Sequence, residues 1–385
     1  MKHTKLAYLA FAVLMIALGA SDAMRGIFSS IFMDEFQVGA DRIGWLVTIS
    51  YAGNLFFLAV GGRVVDMLNR KTALIGLAGI WMASELLFLT TSNFPCLLIG
   101  MFVAMGSSTL LNTTLNLTTS MMFAASPGFL VNALFFVQGI GTSGSQSFIG
   151  NWATGIGDWH KVCLVLICLG ILFLLLMLPV KLSSPGDEAT EEKPKVSYKE
   201  VVKNPFFLLM VLMFGCYFIA EHGIMNWFAS YGLNCLHMTA GRAANMTAMF
   251  YGGMTVGRLV LSPLVDKIGP VKVLRIFGLT AAVIYLVSIL MGFRSLILMV
   301  LCGLAVSLLY TTMVMLVPNF FGKEISSTAS GLVISVASLA DILFNAVFGY
   351  AVDAFGFTVS FWAMPLFMVA YAALMLVFCN KAKKA

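Results

Sequence analysis

Twelve apolar runs fill almost the whole sequence, near 6–31, 41–62, 71–92, 94–121, 128–152, 160–182, 204–234, 240–264, 271–291, 294–317, 326–352 and 358–379. A spanning helix needs about 20 apolar residues, and every run reaches that length. In hydrocarbon each backbone N–H and C=O has to be paired, so runs this long are read as helices. The alternating, ~10-residue pattern of an outer-membrane barrel is absent. Charge agrees, since only 10% of the 385 residues are Asp, Glu, Lys or Arg, against roughly 25% in soluble domains. The chain is expected to be an all-α membrane protein of twelve transmembrane helices embedded in a lipid bilayer.

One polar stretch interrupts the pattern. Residues 181–203, KLSSPGDEATEEKPKVSYKEVVK, hold five lysines and five acids. The expected organisation is therefore a six-helix bundle over 1–182, a cytoplasmic linker over 183–203 and a second six-helix bundle over 204–385. Ser92-Asn93-Phe94-Pro95 divides the third run from the fourth, because a proline biases the residue before it away from helix. The N-terminal MKHTK and its apolar run resemble a signal peptide, but the run continues to about residue 31 without an A-x-A site. It is read as an uncleaved first span.

Placing the linker in the cytoplasm puts eighteen of the 23 basic residues on its side, and Arg42, Lys161, Arg242 and Arg294 opposite, with Arg25 inside the first run. The positive-inside rule then puts both termini in the cytoplasm, as an even helix count also does. The net charge of +6 follows this topology, so no nucleic-acid partner is expected. Seven cysteines form no CxxC pair, and the sequence has neither HExxH nor GxxxxGK[ST]. No metal, cofactor or enzymatic activity is expected, as no nucleophile–base pair is visible.

The halves repeat. At an offset of 199–200 residues Asp66 falls on Asp266, Asp22 on Glu221 and His222, and Gly150 on Gly349. Three matches in one register argue for two related, pseudo-symmetric six-helix halves, the parallel repeat found in the major facilitator superfamily. After the second run, Gly62, Asp66, Arg70 and Lys71 stand in the places of that family's G-x-x-x-D-R-x-G-R-[KR] signature. Met67 replaces an Arg, and Asn69 replaces a Gly at a turn where Asn tolerates left-handed backbone. Gly257, Arg258, Asp266, Lys267 and Gly269 echo the motif in the second half. The chain thus resembles the major facilitator superfamily. Through Ser21, Asp22, Glu221, Trp227 and GGMTVGR at 252–258 it is most similar to the fucose:proton symporter group. The resemblance implies alternating access, a substrate site between the halves, a monomer, and sugar binding with proton coupling at the Asp of the first span. In that group an acid of the fourth span takes part too. Here the fourth run reads LLNTTLNLTT and has none.

Ionisable residues inside the runs are Asp22, Arg25, Glu85, Glu221, His222 and Asp341. Each costs about 2.5–3.5 kcal/mol at a helix centre. Asp22 and Arg25 share a helix face and read either as a cavity site or as a permanent structural pair. Asp22 and Glu221 are the candidates for proton coupling. Arg25 offers a forked donor for a carboxylate. Glu221, His222, Asn226 and Trp227 give hydrogen-bonding groups beside an apolar ring, as a sugar needs. Asn112 and Asn116, with Thr109 and Thr113, form an i,i+4 polar stripe, read as cavity lining or interhelical bonding. Tyr51, Gln138, Gln146, Tyr310 and Asn345 complete the candidate substrate-binding set, with Asn54 and, four residues before Asn345, Asp341 as further polar groups of the spans. Glu85 is expected to bond a neighbouring helix. The resemblance gives Asp66, Arg70, Arg258 and Asp266, at cytoplasmic helix ends, a gating role.

The resulting expectation is a secondary active transporter of the cytoplasmic membrane, taking up a small polar, sugar-like solute with protons. The alternatives are an organic-anion carrier or antiporter using Arg25, and a drug exporter, for which the polar stripes are unsuited.

Overall fold

A computed structural model describes residues 2–61, 65, 68–90, 93–122, 127–182, 198–321 and 326–382. The chain divides into two compact units, Met1–Thr190 and Glu191–Ala385. The first contains α1 (Lys2–Ile27), α2 (Ser29–Phe36), α3 (Ala40–Phe56, continued by a π-turn over Phe57–Gly61), α4 (Arg70–Leu89), α5 (Phe94–Met122), α6 (Pro127–Gly150) and α7 (Ile156–Met177). The second contains α8 (Tyr198–Lys203), α9 (Phe207–Asn234), α10 (Ala240–Ile268), α11 (Pro270–Leu290), α12 (Leu296–Val306), α13 (Leu309–Phe321), α14 (Ser326–Ser360) and α15 (Ala363–Ala382).

Among the described residues, eleven helical segments are long and apolar enough to cross a membrane. The twelfth position in the series is α6, a helix of 24 residues. Its Gly, Ser and Gln content lowers its hydropathy without shortening it. The all-α fold of twelve spans therefore stands as expected, with local departures. The first run breaks at Phe28 and continues as α2, where Ser29 Oγ donates to the Gly26 carbonyl at 3.0 Å. The tenth run breaks after Val306, where Ser307 Oγ donates to the Leu304 carbonyl at 2.7 Å. In both, a hydroxyl competes for a helix carbonyl, which loosens the ladder. Pro95 sits in the first turn of α5, and Asn93 Oδ1 accepts from Cys96 N–H at 3.0 Å.

Each unit uses the same internal pairings. α3 packs on α5 as α10 packs on α12; α1 packs on α6 and α7 as α9 packs on α14 and α15; α4 packs on α7 as α11 packs on α15. The repeat extends to single residues. A Cβ on Gly53 would overlap the Phe102 carbonyl oxygen, and one on Gly253 would overlap that of Val300. These glycines lie 200 residues apart and let backbone meet backbone in the two equivalent pairs. Between apolar helices in lipid there is little hydrophobic drive, so such van der Waals contact is what holds them.

Two turns correct the sequence reading. Asn69 is not left-handed: at φ −66° and ψ 146° it caps α4, its side chain accepting from Thr72 N–H at 2.8 Å. The equivalent Gly269 is left-handed, at φ 88°, and leads into Pro270 at the start of α11. Beside Asn69, Lys71 Nζ donates to the Leu178 and Val180 carbonyls, both at 2.8 Å, and so covers the end of α7.

Leucine in place of Gly53 or Gly253 is expected to force its helix pair apart and cost about 1–3 kcal/mol or more. The apparent melting temperature of the purified protein should fall in a thermal-shift assay. Gly76→Leu, with no atom within 4 Å of its added Cβ, should melt like the parent.

Candidate functional site

The first unit carries an open cavity of about 560 Å³, whose lining includes Asp22 of α1, Thr109, Asn112, Thr113 and Asn116 of α5 and Phe135 of α6. That size lies in the range of small-molecule sites, roughly 300–1,000 Å³. The wall follows from spacing, since residues four apart stack on one helix face. Asn116 Nδ2 donates to Asn112 Oδ1 at 2.7 Å, and Asn112 Nδ2 donates to Gln138 Oε1 at 2.9 Å. This amide ladder runs along α5 and crosses to α6. Asn116 Oδ1 is buried and has no hydrogen-bond partner, leaving an acceptor for a ligand hydroxyl at the ladder's start.

Arg25 and Gln146 are not in this wall. Arg25 is 3% exposed and stacks over the Tyr51 ring at 4.7 Å. Its Nε and Nη1 are buried without a hydrogen-bond partner, as are both amide atoms of Gln146 and Oδ1 of Asn54. Beside the cavity residue Asp22, Ser21 Oγ donates to Glu85 Oε1 at 3.0 Å, the interhelical bond expected of Glu85.

The second unit holds a different constellation. His222 Nδ1 meets Asp341 Oδ2 at 2.6 Å. Trp227 Nε1 donates to Asn345 Oδ1 at 2.9 Å. An indole N–H can only donate, so this bond fixes the Asn345 amide. Asn345 Nδ2 therefore faces Asp341, donating to its carbonyl at 2.9 Å and its Oδ1 at 3.1 Å. Phe218 lies flat on His222, centroids 5.5 Å apart with planes 6° apart. Trp227 is fully buried, packed against Phe348 at 4.8 Å. Its ring is thus a core element that locks Asn345, rather than a platform facing a cavity. Asn226 is fully buried on the same helix.

Beside this network stand Glu221, 7% exposed, and the stacked pair Tyr217–Tyr310, 6.3 Å apart. The Arg258 guanidinium interacts electrostatically with Glu221, Tyr217 and Tyr310. Arg258 therefore does not sit at a helix end: α10 runs on to Ile268, about 15 Å further at 1.5 Å per residue. The apolar LVLSPLV that follows Arg258 carries the span past it. Of the other residues given a gating role, Arg70 opens α4 with Nε and Nη1 buried and unbonded. Asp66 and the Asp266 side chain lie outside the described residues. Sequence spacing pointed to Asp341 and Asn345 as a pair. Their link to His222, 119 residues away in the chain, carries no local signal.

Comparison with known proteins fits this architecture. The model of the Major Facilitator Superfamily matches residues 9–345 and 234–385. The chain belongs to that superfamily. It is 22% identical over 365 residues to the L-fucose-proton symporter of Escherichia coli (strain K12), covering 84% of this chain and 82% of the relative. It is 24% identical over 341 residues to the 3-(3-hydroxy-phenyl)propionate transporter of the same strain, covering 83% and 79%. A solved D-xylose-proton symporter superposes with a TM-score of 0.78 at 16% identity, covering 97% of this chain and 96% of that one. As a major facilitator transporter the protein is an integral membrane protein, and the family's proteins are transporters rather than enzymes.

Asn345→Ala is expected to leave the Trp227 N–H and Asp341 Oδ1 buried and unpaired, at about 1–3 kcal/mol. Its apparent melting temperature should drop more than that of Trp227→Phe, which orphans one acceptor only.

Proposed function

We propose that the protein takes up a small, neutral, hydroxyl-rich solute of sugar size together with protons, by alternating access of its two units. The cavity carries this reading: its wall combines carboxamides, threonine hydroxyls, one carboxyl and the Phe135 ring. Amides and hydroxyls match a polyol by donating and accepting at once. Asp22 is the ionisable group of the wall among the described residues, well placed to bind the solute or exchange a proton with it. Glu221 is proposed as its counterpart in the second unit. Further parts of the proposal are a monomer in the cytoplasmic membrane with both termini inside, 183–203 as a cytoplasmic linker, and gating by Asp66, Arg70 and Asp266.

A second reading rests on Arg25. A guanidinium stays charged, and a buried charge without a partner is costly. The unbonded Nε and Nη1 therefore suit a solute carboxylate, as in an organic-anion carrier. The curated relative that transports a phenylpropionate makes this the competing arm.

Both arms are read in proteoliposomes offered labelled L-fucose, D-xylose, D-galactose or 3-phenylpropionate, with and without an inward proton gradient. The expected result is sugar accumulation driven by the gradient, abolished by Asp22→Asn. Asn112→Ala should raise the half-saturating concentration about tenfold, equivalent to roughly 1.4 kcal/mol of lost hydrogen bonding. Phenylpropionate uptake lost in Arg25→Gln, with sugars inert, would replace the first reading by the second.

A further inference from the structure

Glu85 is a buried acid of α4 and is not among the lining residues of the cavity described above. It is 1% exposed on α4, among α1, α5 and α7. Ser21 Oγ donates to its Oε1 at 3.0 Å, while Oε2 is buried with no hydrogen-bond partner. Among the described residues no Lys, Arg or His pairs with it. The Cys163 thiol of α7 is the other polar side chain that interacts with it.

A tie between helices does not need this chemistry. A glutamine would accept the same bond from Ser21 and carry no charge. An ionised Glu85 would be a buried charge without a counter-ion, which is strongly unfavourable. The neutral acid avoids that cost, and the unbonded Oε2 leaves an oxygen free to carry its proton. What remains is a carboxyl that gains or loses a proton according to its surroundings.

Its surroundings connect to the cavity. Ser21 precedes Asp22, and Asp22 lines the cavity. A serine hydroxyl donates with its own proton and accepts on its lone pairs simultaneously. Ser21 thus joins the buried acid to the cavity-lining turn of α1. On α1 the charged neighbours are Asp22 and Arg25. α5 contributes no acidic or basic side chain. On α7 the titratable groups near that end are Asp158, His160, Lys161 and Cys163, with Asp158 and Lys161 paired at 2.8 Å.

We propose that Glu85 holds the proton that moves with the solute, and that Ser21 transmits its protonation to the cavity through α1. The step is a proton exchange: a hydronium ion on the side of entry gives a proton to the Glu85 carboxylate and becomes water, and the neutral acid later passes that proton to a water molecule on the other side, forming hydronium there. This rests on the proton-coupled reading above.

The test compares the full-length wild type, Glu85→Gln and Ser21→Ala in proteoliposomes with the labelled sugars named above. Glu85→Gln should lose gradient-driven accumulation yet keep sugar-for-sugar exchange at zero gradient. Ser21→Ala should weaken accumulation in the same direction. Infrared difference spectra of the purified proteins, which need no solute, should show a protonated-carboxyl stretch in the wild type that Glu85→Gln lacks. Accumulation by Glu85→Gln at the wild-type level would overturn the assignment, as would identical infrared spectra. If the wild type itself ignores the gradient, the coupling reading fails instead, and the infrared comparison alone decides whether Glu85 holds a proton.

Discussion

Everything in this molecule follows from having to pair polar groups where water cannot. Backbone amides solve the problem by staying helical, which makes the secondary structure almost uniform. Helices so formed gain little from the hydrophobic effect when they meet, because lipid is as apolar as their side chains. What brings them together is shape. Gly53 against Phe102 and Gly253 against Val300 show the same backbone contact used once in each unit. The repeat is thus conserved between the halves as a packing solution even where side chains have diverged.

Side chains face the same constraint and meet it only in part. In the second unit, Trp227, Asn345, Asp341 and His222 are joined by hydrogen bonds. Such networks rigidify a core. Other groups stay unsatisfied: Asn116 Oδ1, Arg25 Nε and Nη1, Gln146 and Glu85 Oε2 in the first unit, and Tyr217 Oη and Arg258 Nε in the second. Buried polar atoms without partners are rare in proteins and call for a reason. The proposed function supplies one: solute and protons would complete those bonds part of the time.

The sequence showed most of the fold and less of the site, and the division has a physical basis. Spans are legible because hydropathy is a local, summed property. Only α6 blurs it, with polar residues spread along 24 positions. The Asn112–Asn116 ladder was legible too, as helical spacing places those amides on one face. Gln138, which extends the ladder, was seen as a candidate but not as a partner. The breaks at Phe28 and Ser307 depend on single hydroxyl–carbonyl bonds. Arg258 was misplaced because a cation was equated with the end of a span. Here it is surrounded by Glu221, Tyr217 and Tyr310, partners set by tertiary packing. Asn69 was given the right tolerance and the wrong conformation: its side chain caps a helix, so its backbone has no need to turn left.

The Lys71 bonds to the Leu178 and Val180 carbonyls carry a mechanical consequence. The chain has left α7 at those carbonyls and passes directly on to Lys181 and Leu182. The ammonium therefore rivets the departing strand to the start of α4, beside the capped turn. A pull on Lys181 is expected to meet this rivet before it peels residues from α7, so that force passes to the base of α4 instead of being dissipated by unwinding a helix end.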